Sequence, residues 1–145
     1  MIKDNIATIR GQIASVCRKI GRNPEEITLV GVTKYSDLSK IKEAVLAGLA
    51  DIGENKIQDA KEKFAQLKFD QNKVTKHMLG HLQTNKVKTA LEIFDVIQSV
   101  DSLRLGEEIQ KQAVKLNKII DVLIEVNTSD EEQKYGVKKD RKSVV

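Results

Sequence analysis

Five short apolar runs alternate along this chain with longer segments in which apolar residues recur every three or four positions. The short runs are rich in β-branched residues, which favours buried strands, whereas the longer segments have the spacing of amphipathic helices. A strict alternation of β and α segments predicts a parallel sheet with right-handed crossovers. We therefore expect an α/β fold, with strands over residues 28–35, 50–55, 77–80, 96–101 and 121–127.

Helices are predicted before the first strand and after each of the five strands. The leading helix carries isoleucines and a valine at helical spacing from Ile2 to Ile20, and Gly21 and the single proline, Pro24, predict its end. A second helix is predicted to be capped by Ser36 or Asp37. The polar segment 68–76 is expected to connect the third helix to the next strand. The tail from Val137 is expected to begin a further helix.

Composition and charge exclude several classes of protein. The chain has 145 residues, enough for one domain with a core, and its net charge of +4 is scattered except for a basic cluster at residues 138–142. Nucleic-acid binding usually needs a basic stripe with aromatic stacking partners, so we expect no nucleic-acid partner. Cys17 is the only cysteine, and no apolar run or leader typical of a membrane or secreted protein is present. A cytoplasmic location without a membrane partner is predicted.

Lys34 is the first candidate site residue, because it ends the first predicted strand. Side chains alternate along a strand, so Val30, Val32 and Lys34 are expected on one face. An amine beside an apolar interior is desolvated, which favours the neutral form that a Schiff-base lysine needs. The alternative is that Lys34 extends from a strand end into solvent, as most such lysines do.

Polar residues stand at or just after the carboxyl ends of all five predicted strands. In a βα barrel that edge carries the chemistry. No strand is followed by the glycine-rich fingerprint of dinucleotide-binding folds, which argues against that fold. The polar residues are Lys34, Asn55, His81, Asp101 and Asn127.

Several linked motifs resemble one known family. Residues 30–34 (VGVTK), 52–55 (IGEN), 77–86 (HMLGHLQTNK), 98–102 (QSVDS) and 126–137 occur in family order and spacing. They are similar to the pyridoxal phosphate homeostasis (YggS/PROSC) proteins. The resemblance implies a partial TIM-type (β/α) barrel of the alanine racemase N-terminal domain type, with about five of eight βα units plus the leading helix. Residues 1–145 would then be the N-terminal part of a pyridoxal-phosphate-binding barrel domain.

The resemblance also implies a function and a set of site residues. The family binds pyridoxal 5'-phosphate (PLP) and serves intracellular PLP homeostasis, without a well-defined reaction. The cofactor would be held as a Schiff base on Lys34, with Asn55, His81, Ser99 and Asn127 as further cofactor-binding residues. No catalytic and no metal-binding residue is implied. The family's phosphate-binding loops and an arginine lie in later strands than those found here.

Two other functions remain open from the sequence. The chain could be a fragment of a fold-type III PLP enzyme, such as an amino-acid racemase or decarboxylase, or a truncated half barrel that binds nothing. Whichever function is correct, self-association through open sheet edges is expected. His77 and His81 lack further metal ligands nearby in sequence, and the acidic residues 130–132 are expected to be solvated. Glu125 is expected to point into the barrel.

Overall fold

The computed structural model describes residues 1–67, 74–129 and 131–138. Its helices are α1 (Ile2–Lys19), α2 (Leu38–Leu46), α3 (Ile57–Gln66), α4 (Val87–Ile93) and α5 (Leu103–Lys115). Its strands are β1 (Val30–Val32), β2 (Asp51–Glu54), β3 (Thr75–Met78), β4 (Val96–Val100), β5 (Asp121–Ile124), β6 (Val126–Asn127) and β7 (Val137–Lys138). Short 3₁₀ turns cover Pro24–Glu26 and Thr84–Lys86.

Strands β1 to β5 form one parallel sheet in their sequence order. The predicted α/β class and the order of the first part of a barrel are thus confirmed. His77 of β3 lies between Gly53 of β2 and Val96 of β4, which fixes the register of the three central strands. Within the described ranges, β1 and β5 are the two edges of this sheet.

The hydrophobic core lies between the sheet and the helices. One cluster joins α3, α4 and α5 to the central strands, and a second joins α1 and α2 to β2. The other face of the sheet is open at both edges: Val32 of β1 is 52% exposed and Leu123 of β5 is 54% exposed. The helices therefore cover one face of the sheet, as they cover the outer face of the sheet in a βα barrel.

Side-chain caps begin two of the helices, and the cap of α2 is one of the two residues predicted for it. The Asp37 carboxylate accepts hydrogen bonds from the Lys40 backbone N–H at 3.0 Å and from the Ser39 hydroxyl at 2.7 Å. These hydrogen bonds, the backbone one above all, hold the pKa of Asp37 well below its usual range. Ser102 caps α5 through the Leu105 N–H in the same way. None of the helices in the described ranges is long and apolar enough to cross a membrane.

The structure corrects four predicted boundaries. Strand β1 ends at Val32, and β3 begins earlier than expected, at Thr75. The predicted strand 121–127 is interrupted at Glu125, whose N–H donates to the Val100 carbonyl while its own carbonyl accepts from Val137. The prediction of a helix from Val137 is wrong, because this residue begins β7, which pairs with β6. Residues 68–73 of the predicted connection, Asp130 and most of the basic tail lie outside the described residues.

Candidate functional site

The carboxyl ends of β1 to β5 meet at one edge of the sheet, because all five strands are parallel. The chain leaves this edge through the segments that follow Val32, Glu54, Met78, Val100 and Ile124. The predicted site residues except Ser99 lie in these segments. The edge is therefore the candidate site, and its geometry follows from how each segment is anchored.

Lys34 lies two residues beyond β1, in a turn that the Ser36 N–H closes on the Thr33 carbonyl at 3.0 Å. Its side chain is exposed, with Nζ 5.2 Å from the ring centroid of Tyr35, which is itself 91% exposed. Of the two interpretations that the sequence left open, the structure agrees with the exposed lysine, because Val32 on the open side of β1 is itself half exposed. The amine is accessible to a reagent or a ligand from solvent.

Thr33, directly before Lys34, is anchored through every hydrogen-bonding group it has. Its N–H donates to the Gly53 carbonyl at 2.9 Å, and its hydroxyl donates to Glu54 Oε1 at 2.6 Å. Its carbonyl accepts from Lys63 Nζ at 2.7 Å as well as from Ser36. The same Lys63 ammonium donates to Glu54 Oε1 at 2.7 Å. This group of three side chains, which we call the Thr33–Glu54–Lys63 network, was not predicted from the sequence.

Asn55 follows β2 and is held against the segment after β3. The Leu79 N–H donates to the Glu54 carbonyl at 2.9 Å, and Gly80 comes so close that an added Cβ would lie 2.2 Å from the Asn55 carbonyl oxygen. Only a residue without a side chain permits this approach. The backbones that carry Asn55 and His81 are thus fixed relative to each other.

His81 contacts two other segments of the candidate site. Its Nδ1 lies 3.3 Å from Asp101 Oδ2, beyond β4, and its ring stacks on Tyr135 with centroids 3.8 Å apart and planes 9° apart. The loop 128–136 is therefore attached to the segment after β3 by an aromatic contact. The contact with Tyr135 was not predicted, because residues separated by three strands give no local signal of their contact.

Asn127 organises the loop that follows β6. Its amide nitrogen donates to the Glu131 carbonyl at 2.9 Å, and its amide oxygen accepts from the Ser129 N–H at 3.2 Å. Gly136 ends the loop at φ +112°, a backbone conformation that favours glycine. The contacts of Asn127 are thus made within its own loop, and its predicted role in binding a cofactor stays a prediction.

Ser99 lies within β4 and is fully buried, unlike the other predicted site residues. Its hydroxyl has no hydrogen-bond partner among the described residues. The structure places it one residue before the end of β4, inside the strand and not in the segment that follows it. Its predicted contact with a cofactor also stays a prediction.

A second polar network crosses the sheet below the site. His77 is buried, with Nε2 2.9 Å from Asp51 Oδ1 and Nδ1 2.9 Å from Gln98 Nε2. Because an amide nitrogen can only donate, Nδ1 accepts and Nε2–H donates to Asp51. These hydrogen bonds give His77 a structural position that connects β2, β3 and β4. The alternation of side chains along a strand was the sequence signal that could have indicated this network, because it puts Asp51, His77 and Gln98 on the same face of their strands.

The acidic loop and Glu125 take ordinary structural positions. Glu131 accepts from Lys134 Nζ at 2.6 Å, and Glu125 is half-buried where β5 gives way to β6. Among the described residues, no group of three or more His, Cys, Asp or Glu could hold a metal ion.

Comparison with known proteins relates the chain to one family by sequence. It is 37% identical over 139 residues to the pyridoxal phosphate homeostasis protein of Escherichia coli K12, covering 94% of this chain and 58% of that protein. It is 38% identical over 135 residues to the protein of the same name from Aquifex aeolicus, again covering 58% of it. No protein-family profile matches the chain.

Comparison with solved structures also finds similar proteins. PipY of Synechococcus elongatus PCC7942, solved without PLP, superimposes with a TM-score of 0.82 at 34% identity, over 94% of this chain and 59% of PipY. The structure of PipY with PLP bound gives a TM-score of 0.81 at 33% identity. The chain spans less than three fifths of the length of these relatives. By sequence the chain is similar to pyridoxal phosphate homeostasis proteins, as its motifs predicted, and by fold it is similar to PipY.

Proposed function

We propose that this chain forms part of a protein that binds PLP for intracellular PLP homeostasis, with the cofactor held as a Schiff base on Lys34. The observation that carries the proposal is the position of Lys34: an exposed primary amine at the carboxyl edge of β1, in a chain homologous to a protein solved with PLP bound. PLP supplies an aldehyde, which condenses with a primary amine and releases water. We propose no further reaction.

The residues at this edge fit the aldehyde and ring of the cofactor. The amine of Lys34 is accessible, and the Asn55 amide and the His81 imidazole stand on the segments after β2 and β3. Asn127 and Ser99 belong to the proposed site with less support, because one is hydrogen-bonded within its loop and the other is buried. The phosphate-binding loops that the family resemblance implies lie in later strands, so we propose that residues 1–145 alone bind PLP weakly.

Borohydride trapping tests the proposal. The chain is mixed with PLP, reduced, digested and mapped by mass spectrometry, beside the variants Lys34→Ala and Lys61→Ala. Lys61 is an exposed lysine of α3 and serves as the matched control. We expect the label on Lys34 in the wild type and in Lys61→Ala, and its loss in Lys34→Ala. A label spread over surface lysines, with Lys34 unmodified, would contradict the proposal.

The two alternatives from the sequence are not favoured. The relatives bear the name of homeostasis proteins rather than racemases or decarboxylases, and PipY was solved with PLP bound. Assaying the purified chain for amino-acid racemisation with added PLP separates the enzyme from the binding protein, and we expect no turnover. A cytoplasmic location and self-association through the sheet edges remain proposals, which rest on the single cysteine and on the exposed side chains of β5.

A further inference from the structure

We propose that Lys63 is a positioning residue for Lys34: through Thr33 and Glu54, it fixes the backbone from which the Lys34 amine extends. This inference rests on the proposed function, because it concerns the lysine that would hold PLP. Lys63 stands on α3, thirty positions from Thr33, and the Thr33–Glu54–Lys63 network connects α3 to the ends of β1 and β2.

The contact that carries the inference is the one between Lys63 Nζ and the Thr33 carbonyl, at 2.7 Å. That carbonyl belongs to the peptide group whose nitrogen is the backbone N of Lys34. The Ser36 N–H shares the same acceptor at 3.0 Å and closes the turn that contains Lys34. An ammonium bonded to this oxygen therefore restrains the peptide plane before Lys34 and the turn after it.

Burial keeps the ammonium of Lys63 at this place. The Glu54 side chain is fully buried, and only 20% of the Lys63 side chain is exposed. A buried carboxylate needs a countercharge and hydrogen-bond donors, since removing it from water is unfavourable. Glu54 Oε1 accepts from both Lys63 and the Thr33 hydroxyl, whereas Oε2 has no partner among the described residues. Without Lys63, one hydroxyl would be the only donor left to the carboxylate within the described network.

The network acts on two site residues together because of the alternation of side chains along a strand. Thr33 and Glu54 turn toward α3, and the residues directly after them, Lys34 and Asn55, begin the loops of the candidate site. Restraining Thr33 and Glu54 thus fixes the points at which both loops leave the sheet. A reacting group is effective only when it is held in a narrow range of positions, so this restraint favours attack by the Lys34 amine.

The test compares four variants of the chain with the wild type: Lys63→Met, Lys63→Arg, Thr33→Val and, as control, Lys61→Met on the exposed side of α3. The first readout is the rate of PLP trapping on Lys34 per folded molecule. The second is amide hydrogen exchange at Ser36, which needs no cofactor. Thermal melting measures the folded fraction in each sample.

We expect Lys63→Met to slow trapping on Lys34 by about tenfold or more, the factor that corresponds to about 1.4 kcal/mol. Exchange at Ser36 should accelerate in the same variant, while Lys61→Met matches the wild type in both readouts. Lys63→Arg should restore much of the rate, because a guanidinium also donates to both acceptors. Thr33→Val, which keeps the ion pair, should slow trapping by a smaller factor.

Two results would overturn the inference. One is a folded Lys63→Met variant that traps PLP on Lys34 at the wild-type rate with unchanged Ser36 exchange. If Lys63→Met does not fold, the test depends on Thr33→Val. A Thr33→Val variant that traps PLP on Lys34 at the wild-type rate also overturns the inference. Failure of the proposed function looks different: the wild type itself would not be labelled on Lys34, although loss of Lys63 would still accelerate exchange at Ser36.

Discussion

Replacing Gly80 by alanine is expected to be one of the most damaging single-methyl changes in the candidate site. The added Cβ would lie 2.2 Å from the Asn55 carbonyl oxygen and 2.9 Å from its carbonyl carbon, distances that no methyl group tolerates. The atoms in the way are backbone, so no side-chain rotation relieves the clash. The strand-end segments that carry Asn55 and His81 must separate.

The magnitude follows from the cost of overpacking, about 1–3 kcal/mol, and a clash with backbone belongs at the upper end. A chain of this length loses about 4 °C of Tm for each kcal/mol. We therefore expect Gly80→Ala to lower Tm by roughly 8–12 °C in thermal melts followed by circular dichroism. The Asn55 side chain is displaced with its backbone, so PLP trapping on Lys34 should be slower as well.

Two other glycines provide matched controls for the same methyl group. At Gly53 the new Cβ would meet the Leu79 side chain at 2.5 Å, and since a side chain can rotate away, we expect a smaller loss of about 1 kcal/mol. At Gly106, within α5, nothing lies within 4 Å, and alanine should stabilise the helix by about 0.5–1 kcal/mol. The order of Tm values expected is Gly106→Ala, wild type, Gly53→Ala, Gly80→Ala. A Gly80→Ala variant as stable as wild type would refute the close approach.

Three further predictions concern a cap, a cation and an edge. The folded-state pKa of Asp37 is depressed below its ordinary value of 3.8. Its charge therefore stabilises the fold above pH 3.8, and this stabilisation is lost as the pH falls. The Tm difference between wild type and Asp37→Asn should shrink in melts at increasingly acid pH. Lys118→Met removes the donor to the Leu91 and Phe94 carbonyls at the end of α4 and should cost about 1–3 kcal/mol in urea unfolding, whereas exposed Lys115→Met should cost almost nothing. Leu123→Lys places a charge on the exposed edge strand β5 and should reduce self-association in size-exclusion chromatography; an unchanged elution profile would show that this edge is not the contact.

The sequence by itself determined the architecture of this protein. Each apolar run and each helical stripe is a local pattern, and strict alternation of the two predicts a parallel sheet. The sequential strand order of a barrel was implied by the family resemblance of the motifs. The sequence also predicted that Lys34 and Asn55 lie at strand ends and that Ser36 or Asp37 caps α2, because caps and strand ends depend on residues a few positions apart. The structure selects Asp37 as the cap.

Only the tertiary structure decided what surrounds these residues. Thr33, Glu54 and Lys63 meet because β1 and β2 are neighbours in one register and the Lys63 side chain extends from α3 to the ends of both strands. The contact of His81 with Tyr135 depends likewise on how a distant loop folds back. The interruption of the last predicted strand at Glu125 follows from the pairing of β6 with β7, which no local periodicity records. Hydrogen bonds and stacking act over a few ångströms, so residues far apart in sequence form these contacts only when the sheet register brings them together.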